Sequence, residues 1–457
     1  MVGSEATRNN GTVLRPRHDL SARRRFLLGP LELLSASRWL PITLVYASVI
    51  ATDDLQEAIR TALDAFPIFA GRLQWHTGKD HRAVRLAVEL DNDQCGIPFH
   101  TQVSELHLDA VALSPTATMW QVRRPLSKLF ANPTHATSVR AMVQQSTPLV
   151  FITVTHLADH SGSVLSIEFA HCLGDAASFY HFLSLVADAA QHVRRPDSVI
   201  DWSGPYTHLH ARLSRVTPST SWLFVTPHAS RPAARAPGDL CVQGLVFWLS
   251  PDEINALKAS ANFPRASTND VVSAFCWQLV ASQDATKATY LRVLVNVRSV
   301  FRPPLPATTI GNMIYAVHVP PPSKNDVAAL ASACRLAIES AKESAVSDIA
   351  AVYEKAASWS KLYWHAPEAA DVVVSTTNLS RYNFTQLQMP TQGGFASAVD
   401  QLETANGGFL HFFQVFADAR GGVRVVAHVA PAHVAACTAE LTALRHRLAS
   451  HIPSHGQ

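Results

Sequence analysis

The sequence lacks the cysteine and charge patterns of several large protein classes. Its six cysteines are far apart and no two have C-x-x-C spacing, so neither a zinc knuckle nor a thioredoxin-like redox motif is present. Cysteines spread in this way through a long chain indicate reduced thiols in an intracellular protein. The net charge is only +3, and the basic residues are scattered rather than gathered in a stripe. We therefore expect no nucleic-acid partner.

Signals for membranes and export are also missing. The longest apolar run, Trp39 to Ala51, is too short to span a bilayer and contains Pro41. The start, "MVGSEATRNNGTVLRPRHDL", has no apolar core typical of a signal peptide, and Val2 stands where N-myristoylation needs glycine. The sequence therefore predicts a cytoplasmic protein without membrane insertion.

What is present is the composition of a globular protein with more than one domain. Hydrophobic residues make up 47% and charged residues 16% of the 457 residues, with no low-complexity tract. This length suits two domains of about 200 residues each. The stretch 202–238 has five prolines and little periodicity, which indicates a linker. We place a first domain at 1–205, a crossover linker at 206–238 and a second domain at 239–457.

Strand and helix patterns alternate in both predicted domains. Runs rich in β-branched residues predict strands at 42–50, 148–157, 163–171, 240–249, 289–299, 371–379, 409–418 and 421–429. Apolar residues at helical spacing predict helices at 52–66, from 175 onward, and at 250–261, 267–282, 325–345 and 431–451. The strands 148–157 and 163–171 are expected to form a hairpin. The alternation predicts two α/β layered domains.

The stretch "FAHCLGDAASF" holds the strongest candidate for chemistry, His171 followed by Asp175. His171 ends an apolar strand and Asp175 precedes a helix, so the histidine is expected to project from the edge of a sheet. A histidine is a natural general base at neutral pH, and a carboxylate one turn away can hold its geometry or lock the loop by pairing with a cation elsewhere. The same spacing also occurs at His76 and Asp80, which we predict to lie in a surface loop. Spacing alone favours a strand-end histidine bonded to backbone.

The order of motifs along the chain resembles the BAHD superfamily of acyl-CoA-dependent acyltransferases of plants and fungi. The resemblance joins His171-x-x-x-Asp175 to "LQEAIRTALDAFPIFAGRL", "STNDVVSAFCWQL", "VNVRSVFRPPLPATTIGNMI" and "GGVRVVAHVAPAHV". Each motif is only moderately specific, but together they span nearly the whole chain. The third motif contains Arg298 and Asn312, which match positions that the family uses structurally.

The resemblance implies a fold and a mechanism. Two similar domains of the chloramphenicol-acetyltransferase type, each a mixed β-sheet with flanking helices, would meet around an active-site channel. His171 would take a proton from an acceptor hydroxyl or amine, which would attack an acyl-CoA thioester without an acyl-enzyme. Asp175 would be structural and pair with Arg298. The resemblance further implies a monomer, acyl-CoA as co-substrate, a secondary-metabolite acceptor, and neither a metal nor a permanently bound cofactor.

Two further sets of residues follow from the resemblance. Thr377 matches a position that can donate a hydrogen bond to the oxyanion, and it can also be a strand-end hydroxyl bonded to backbone. Contacts to CoA in the family cluster before the helix at 267–282, which here offers Lys258, Arg265, Ser267 and Thr268. The family loop "D-F-G-W-G" is absent, since residues 388–392 read "QMPTQ". This departure leaves CoA recognition open.

Two other functions stay in consideration, and a third is excluded. A condensation domain of a peptide synthetase shares the fold, but it uses a double histidine, and Ala170 precedes His171 here. A catalytically weak relative that binds CoA or another ligand is compatible with the missing loop. A serine hydrolase needs a G-x-S-x-G turn, which "HSGSV" at 160–164 does not supply.

Overall fold

The computed structural model describes most of the chain, with gaps at several loops and at both ends. The described residues are 7–8, 11–17, 24–77, 84–91, 94–112, 118–122, 136, 138–193, 212–213, 216–217, 243–261, 263, 265–282, 286–354, 371–402 and 411–449. The predicted linker 206–238 therefore lies almost entirely outside the described residues.

Strands and helices alternate along the described part of the chain, as the sequence predicts. The strands are β1 (Thr7–Arg8), β2 (Thr12–Leu14), β3 (Arg24–Leu27), β4 (Trp39–Tyr46), β5 (Arg72–Thr77), β6 (Val84–Leu90), β7 (Ile97–Val103), β8 (Met119–Val122), β9 (Val150–His156), β10 (Ser163–Ala170), β11 (Gln243–Leu249), β12 (Thr289–Asn296), β13 (Ile314–Val319), β14 (Val372–Asn378), β15 (Met389–Thr391), β16 (Gly394–Ala396), β17 (Asp400–Leu402), β18 (Phe412–Ala417) and β19 (Val423–Val429). The α-helices are α1 (Pro30–Leu34), α2 (Thr52–Ala65), α3 (Leu108–Val111), α4 (Val139–Gln144), α5 (Ala176–Ala190), α6 (Pro251–Ser260), α7 (Thr268–Ala281), α8 (Val327–Glu354) and α9 (Pro431–Ala449).

Two large mixed sheets organise these elements. The first sheet has the order β1-β7-β9-β10-β4-β17, with β2 also beside β7, and its β7–β9 pair is parallel. The second has the order β13-β12-β14-β18-β19-β11-β8, with parallel pairs β12–β14 and β14–β18. Strands β3, β6 and β5 form a smaller sheet, and β15 pairs with β16. The expected mixed α/β architecture of two sheet-centred halves is confirmed.

Each large sheet contains one strand from the other half of the chain. Strand β8, from the N-terminal half, pairs antiparallel with β11 at the edge of the second sheet. Strand β17, from the C-terminal half, pairs antiparallel with β4 at the edge of the first sheet. The backbone of the chain therefore makes two excursions between the halves, out and back, in addition to the linker.

A cluster of phenylalanines fixes the strand that leads to His171. Phe169 of β10 stacks on Phe179 of α5 with ring centroids 4.2 Å apart, and Phe69 stacks on Phe182 at 4.4 Å. All four side chains are fully buried. Burying each one contributes about 1.5–3 kcal/mol relative to leaving it exposed. This packing holds the end of β10 and the start of α5 in a fixed relation.

The predicted hairpin was confirmed. Strands β9 and β10 form the antiparallel hairpin, and the turn between them is the short helical segment Ala158–His160. Ser250 and Glu253 form the reciprocal capping box of α6.

Helix α2 begins at Thr52, as predicted, and the N–H of its N-cap Ala51 donates to the carbonyl of Pro390 at 3.0 Å. The prediction for His76 was wrong. His76 lies in strand β5, where its ring contacts Arg25, and not in a loop. Its presumed partner Asp80 lies outside the described residues.

The cysteines and the apolarity of the helices can also be compared with the expectations from the sequence. The five cysteines in the described part are buried free thiols. Within the same part, no helix combines the length and apolarity that a membrane crossing requires.

Candidate active site

The backbone of His171 is held from both halves of the chain. Its N–H donates to the carbonyl of Arg38 at 2.8 Å, next to the start of β4. Its carbonyl accepts from the Nδ2 of Asn312, in the second half, at 2.6 Å. The residue that the sequence identifies as the base thus lies at the junction of the two halves, directly after the buried strand β10.

The imidazole of His171 combines a buried nitrogen with an accessible one. Its Nδ1 is buried and has no hydrogen-bond partner within the described residues. Its Nε2 makes no hydrogen bond there either but keeps contact with solvent, and the residue as a whole is partly exposed. Burial lowers the pKa of His171 to about 4, and the charge of Arg38 acts in the same direction, while Asp175 opposes it. His171 is therefore neutral at pH 7, the form that can accept a proton.

Asp175 does not contact this imidazole through any hydrogen bond. Its side chain caps helix α5 by accepting from the N–H and the Oγ of Ser178, each at 3.2 Å. It also accepts from the Nη1 and Nη2 of Arg298 at 2.6 and 3.0 Å, and from the N–H of Met313 at 3.0 Å. Burial alone would raise the pKa of Asp175, but Arg298 and these donors outweigh it and lower the pKa.

Arg298 connects this carboxylate to the loop before β13. Its guanidinium donates to the carbonyl of Thr309 from both Nε and Nη2, at 3.1 and 2.9 Å, and to the carbonyl of Gly311 at 2.9 Å. The pair of Asp175 and Arg298 is almost completely buried. The structure therefore brings together His171, Asp175, Arg298 and Asn312, and only His171 presents a reactive atom to solvent.

Gly174 is needed in this turn for space rather than for a left-handed conformation. A Cβ at this position would lie 2.5 Å from the Oγ and 2.6 Å from the Cβ of Ser178. The loop after His171 can therefore close on α5 only with glycine at this position.

Glu32 belongs to the same hydrogen-bond network, through Asn312, and could not be predicted as a site residue from the sequence. Its Oε1 accepts from the N–H of Asn312 at 2.9 Å, while Oε2 is buried without a hydrogen-bond partner among the described residues. Burial is the main cause that raises the pKa of Glu32 to about 7, and the nearby charge of Asp175 adds to it. The only signal in the sequence was a glutamate inside the apolar run "LLGPLELL".

A family model described as the Transferase family matches residues 41–378 of the chain, well over half of its length. The chain therefore belongs to the Transferase family, the BAHD acyltransferases.

Individual relatives of this BAHD protein are distant. It is 24% identical over 315 residues to O-acetyltransferase pyr7 of Aspergillus fumigatus, an alignment that covers 60% of this chain and 59% of that relative, less than two thirds of its length. The structure of vinorine synthase matches with a TM-score of 0.69 at 16% identity, over 96% of this chain and 98% of that one. TRI101 of F. graminearum, complexed with coenzyme A and deoxynivalenol, matches with a TM-score of 0.69 at 14% identity, over 92% and 97%. These likenesses show a common fold.

Thr377 lies at the end of β14 on the face of the second sheet that points away from its helices. Its neighbours in the sheet are Leu294 of β12 and Gln414 of β18. Thr377 is partly exposed, and its hydroxyl has no hydrogen bond within the described part of the chain. In this BAHD protein the hydroxyl can therefore donate to a ligand, as an oxyanion donor requires.

The residues predicted to contact CoA lie at the connection between α6 and α7. The Oγ of Ser267 is engaged in a capping box with Asp270, whose carboxylate also binds Arg335. Arg265 is exposed, whereas Lys258 and Thr268 are partly exposed. Ser267 and Thr268 thus lie at the N-terminus of α7, Arg265 lies just before it with its side chain exposed, and Lys258 lies in the last turn of α6.

The segment that replaces the family loop has a structural role of its own. Strand β15 lies beside α2, where the carbonyl of Pro390 accepts from Ala51 and the N–H of Gln392 donates to Val49. Met389 is fully buried in the core of the first half. The segment therefore ties the C-terminal half to the N-terminal half without any of the residues of "D-F-G-W-G".

Proposed function

We propose that this protein transfers an acyl group from an acyl-CoA thioester to a hydroxyl of a small-molecule acceptor, with His171 as the general base. The observation that carries the proposal is the accessible Nε2 of a neutral histidine, held at the junction of the two halves of a BAHD fold. Transfer to oxygen rather than nitrogen is favoured because the curated relative is named an O-acetyltransferase. A secondary metabolite is the proposed acceptor, since TRI101 is complexed with deoxynivalenol.

In the proposed reaction the Nε2 of His171 takes the proton of the acceptor hydroxyl as its oxygen attacks the thioester carbonyl. The hydroxyl of Thr377 donates to the developing oxyanion. The tetrahedral intermediate then collapses, the carbon–sulfur bond breaks, and the proton held by His171 goes to the CoA thiolate. The acceptor gains the acyl group and coenzyme A leaves as the free thiol, so no covalent acyl-enzyme forms.

The three residues that surround His171, Asp175, Arg298 and Asn312, have a positioning role in this mechanism. Asp175 and Arg298 bind each other instead of the substrate, and Asn312 fixes the carbonyl of His171. A carboxylate paired with arginine cannot also act as a second base. We therefore assign proton transfer to His171 alone and the geometry of its loop to the other three residues.

The binding of CoA is assigned to the α6–α7 connection. Arg265 and Lys258 supply positive charge, and Thr268 lies in the first turn of α7, whose N-terminus favours anions. Ser267 would contribute by fixing the N-terminus of α7, because its hydroxyl and its N–H are both engaged with Asp270. We further propose a cytoplasmic monomer, divided into domains at 1–205 and 239–457 around the linker.

A thiol-release assay tests the proposed function. The purified protein is incubated with acetyl-CoA and other acyl-CoAs, each with a pool of alcohols and amines, and free CoA is followed with a thiol reagent. His171→Ala is the test variant, and His446→Ala, at an exposed position near the end of α9, is the matched control.

We expect acceptor-dependent release that His171→Ala lowers by about 10²–10⁴-fold and that His446→Ala leaves unchanged. Release that is equal in His171→Ala and the wild type would contradict the role of the base. Binding of CoA without release from any pairing would favour a ligand-binding relative that has lost the chemistry.

A further inference from the structure

Arg292 occupies a position in the second sheet where a charge is unusual. It lies in the middle of β12, the second strand from the β13 edge, between His318 of β13 and Ser375 of β14. Its neighbours Leu291 and Val293 are buried in the core under α7 and α8. Because side chains alternate along a strand, Arg292 points to the opposite face, the same face as Thr377.

The guanidinium of Arg292 has few partners there. Its Nε and Nη2 both donate to one neutral acceptor, the Oγ of Ser375, at 3.1 and 2.8 Å. Among the residues that the structure describes, no carboxylate lies within ion-pair distance of it. The comparison with Arg72 is informative, because that buried arginine also lacks a carboxylate but donates to three backbone carbonyls.

A second arginine is close to the same place. Arg38 lies at the backbone of His171, and its charge lowers the pKa of both His171 and Arg292. Arg38 is accessible to solvent, yet surrounding protein lowers its own pKa as well. Arg38 therefore lies at the backbone of the proposed base and close enough to Arg292 for its charge to act on it.

The other groups on this part of the sheet do not neutralise the charge. The positions that flank Arg292 on the same face are Tyr290 and Leu294 of β12, His318 of β13, and Val373 and Thr377 of β14. None of them carries a negative charge. Burial is the main cause that lowers the pKa of Arg292 to about 10, which still leaves it charged at neutral pH. A partly buried charge without a counter-charge costs free energy that a ligand anion would recover.

We propose that Arg292, supported by Ser375 and Arg38, is an anion subsite that binds a carboxylate carried by one of the two substrates. This inference rests on the proposed function, which it makes more specific. The carboxylate belongs to a dicarboxylic acyl group on CoA or to an acceptor that is itself an acid. The phosphates of CoA fit less well, because the pantetheine arm separates them from the thioester, whereas Arg292 shares its face of the sheet with Thr377, the proposed oxyanion donor.

Binding measurements separate this inference from catalysis. Dissociation constants are measured by calorimetry in the His171→Ala background, which removes turnover. The acyl arm compares succinyl-CoA with butyryl-CoA, and the acceptor arm compares 4-hydroxycinnamic acid with its methyl ester. The variants are Arg292→Met, which removes the charge, and Arg292→Lys, which keeps it. Arg140→Met, at an exposed position on α4, is the control.

We expect one arm to prefer the anionic member by about tenfold or more, the range of a charge-assisted hydrogen bond in a partly buried site. Arg292→Met should abolish this preference, Arg292→Lys should keep part of it, and Arg140→Met should leave it intact. The arm that responds identifies which substrate carries the carboxylate. Because Arg292→Met removes an uncompensated charge, it should melt at the same temperature as its background or higher.

Two results would overturn the proposal. One is the absence of any preference for the anionic member in both arms. The other is an equal loss of affinity in Arg292→Met for coenzyme A alone and for both thioesters, which would assign Arg292 to a CoA phosphate. Neither result depends on turnover. A failure of acyl transfer in the thiol-release assay would therefore contradict the proposed function and leave the carboxylate preference measurable.

Discussion

Asp175→Asn tests whether the aspartate of the motif supports the fold rather than the chemistry. In the wild type the Oδ2 of Asp175 accepts from Arg298 and from the N–H of Met313. In the variant, one carboxylate oxygen becomes an NH₂ group. If the NH₂ group replaces Oδ2, its two N–H bonds point at the two groups that donate to Oδ2 in the wild type, and the guanidinium of Arg298 loses its counter-charge in a buried site.

The expected cost follows from these contacts. Removing one partner of a buried ion pair costs about 3–5 kcal/mol of the free energy of unfolding. Arg298 keeps its bonds to the carbonyls of Thr309 and Gly311, so we expect the lower end, about 3 kcal/mol. At roughly 2–4 °C per kcal/mol for a domain of this size, Tm should fall by about 6–12 °C.

The assay is thermal unfolding followed by fluorescence, with turnover measured beside it. Asp175→Asn should lower both Tm and turnover, whereas His171→Ala should lower turnover with little change in Tm. The double variant Asp175→Asn/Arg298→Met should lose less stability than the two single losses added, because the pair is coupled. The pair stabilises the protein above the unfolded pKa of Asp175 and loses this contribution as the pH falls through the lowered folded pKa. An unchanged Tm for Asp175→Asn would refute the reasoning.

Three further predictions concern single groups of the site. Because burial lowers the pKa of His171 to about 4, kcat/KM should stay level from pH 8 down to about pH 5, and an acid limb near pH 6.5 in a pH–rate profile would contradict this. Glu32→Gln should raise Tm above pH 7. The folded pKa of Glu32, about 7, exceeds the unfolded value, so the wild type loses up to about 3 kcal/mol of its free energy of unfolding as the pH rises from 4.5 past 7. Melting curves of both proteins across this range should converge at low pH. Thr377→Val should lower kcat by about 10²-fold or more, because it removes the hydroxyl that donates to the oxyanion. Tm should be nearly unchanged, because valine has nearly the shape of threonine. Equal kcat for variant and wild type in the thiol-release assay would remove Thr377 from the mechanism.

The sequence predicted the parts of the site that are close together in the chain or that belong to an ordered motif. His171, Asp175 and the helix after them are contiguous, so the strand pattern and the cap could be read directly. The contact of Asp175 with Arg298 joins residues 123 positions apart and followed only from the family resemblance. The positions of the two residues in the sequence could not predict this ion pair, because pairing across the junction depends on tertiary packing.

Other features could not be predicted because their signal lies in the environment and not in the residue. Glu32 reads as an ordinary surface glutamate until its oxygen is found against the backbone of Asn312. Arg292 fits a strand pattern with alternate polar positions, and only the sheet register shows that none of its described neighbours in the sheet is acidic. The bond between Ala51 and Pro390 joins residues more than 300 positions apart and has no local signal in the sequence.

The exchange of strands has a consequence for engineering this enzyme class. Cutting the chain in the linker and joining each half to the half of another relative would leave the first sheet without β17 and the second without β8, unless the new partner supplied them. Each half alone would present an open sheet edge, at β4 or at β11, that can pair with another chain and aggregate. Chimeras that aim to alter substrate choice should therefore keep β8 with the second sheet and β17 with the first. The unit to exchange is the complete sheet with its helices, and not a contiguous half of the sequence.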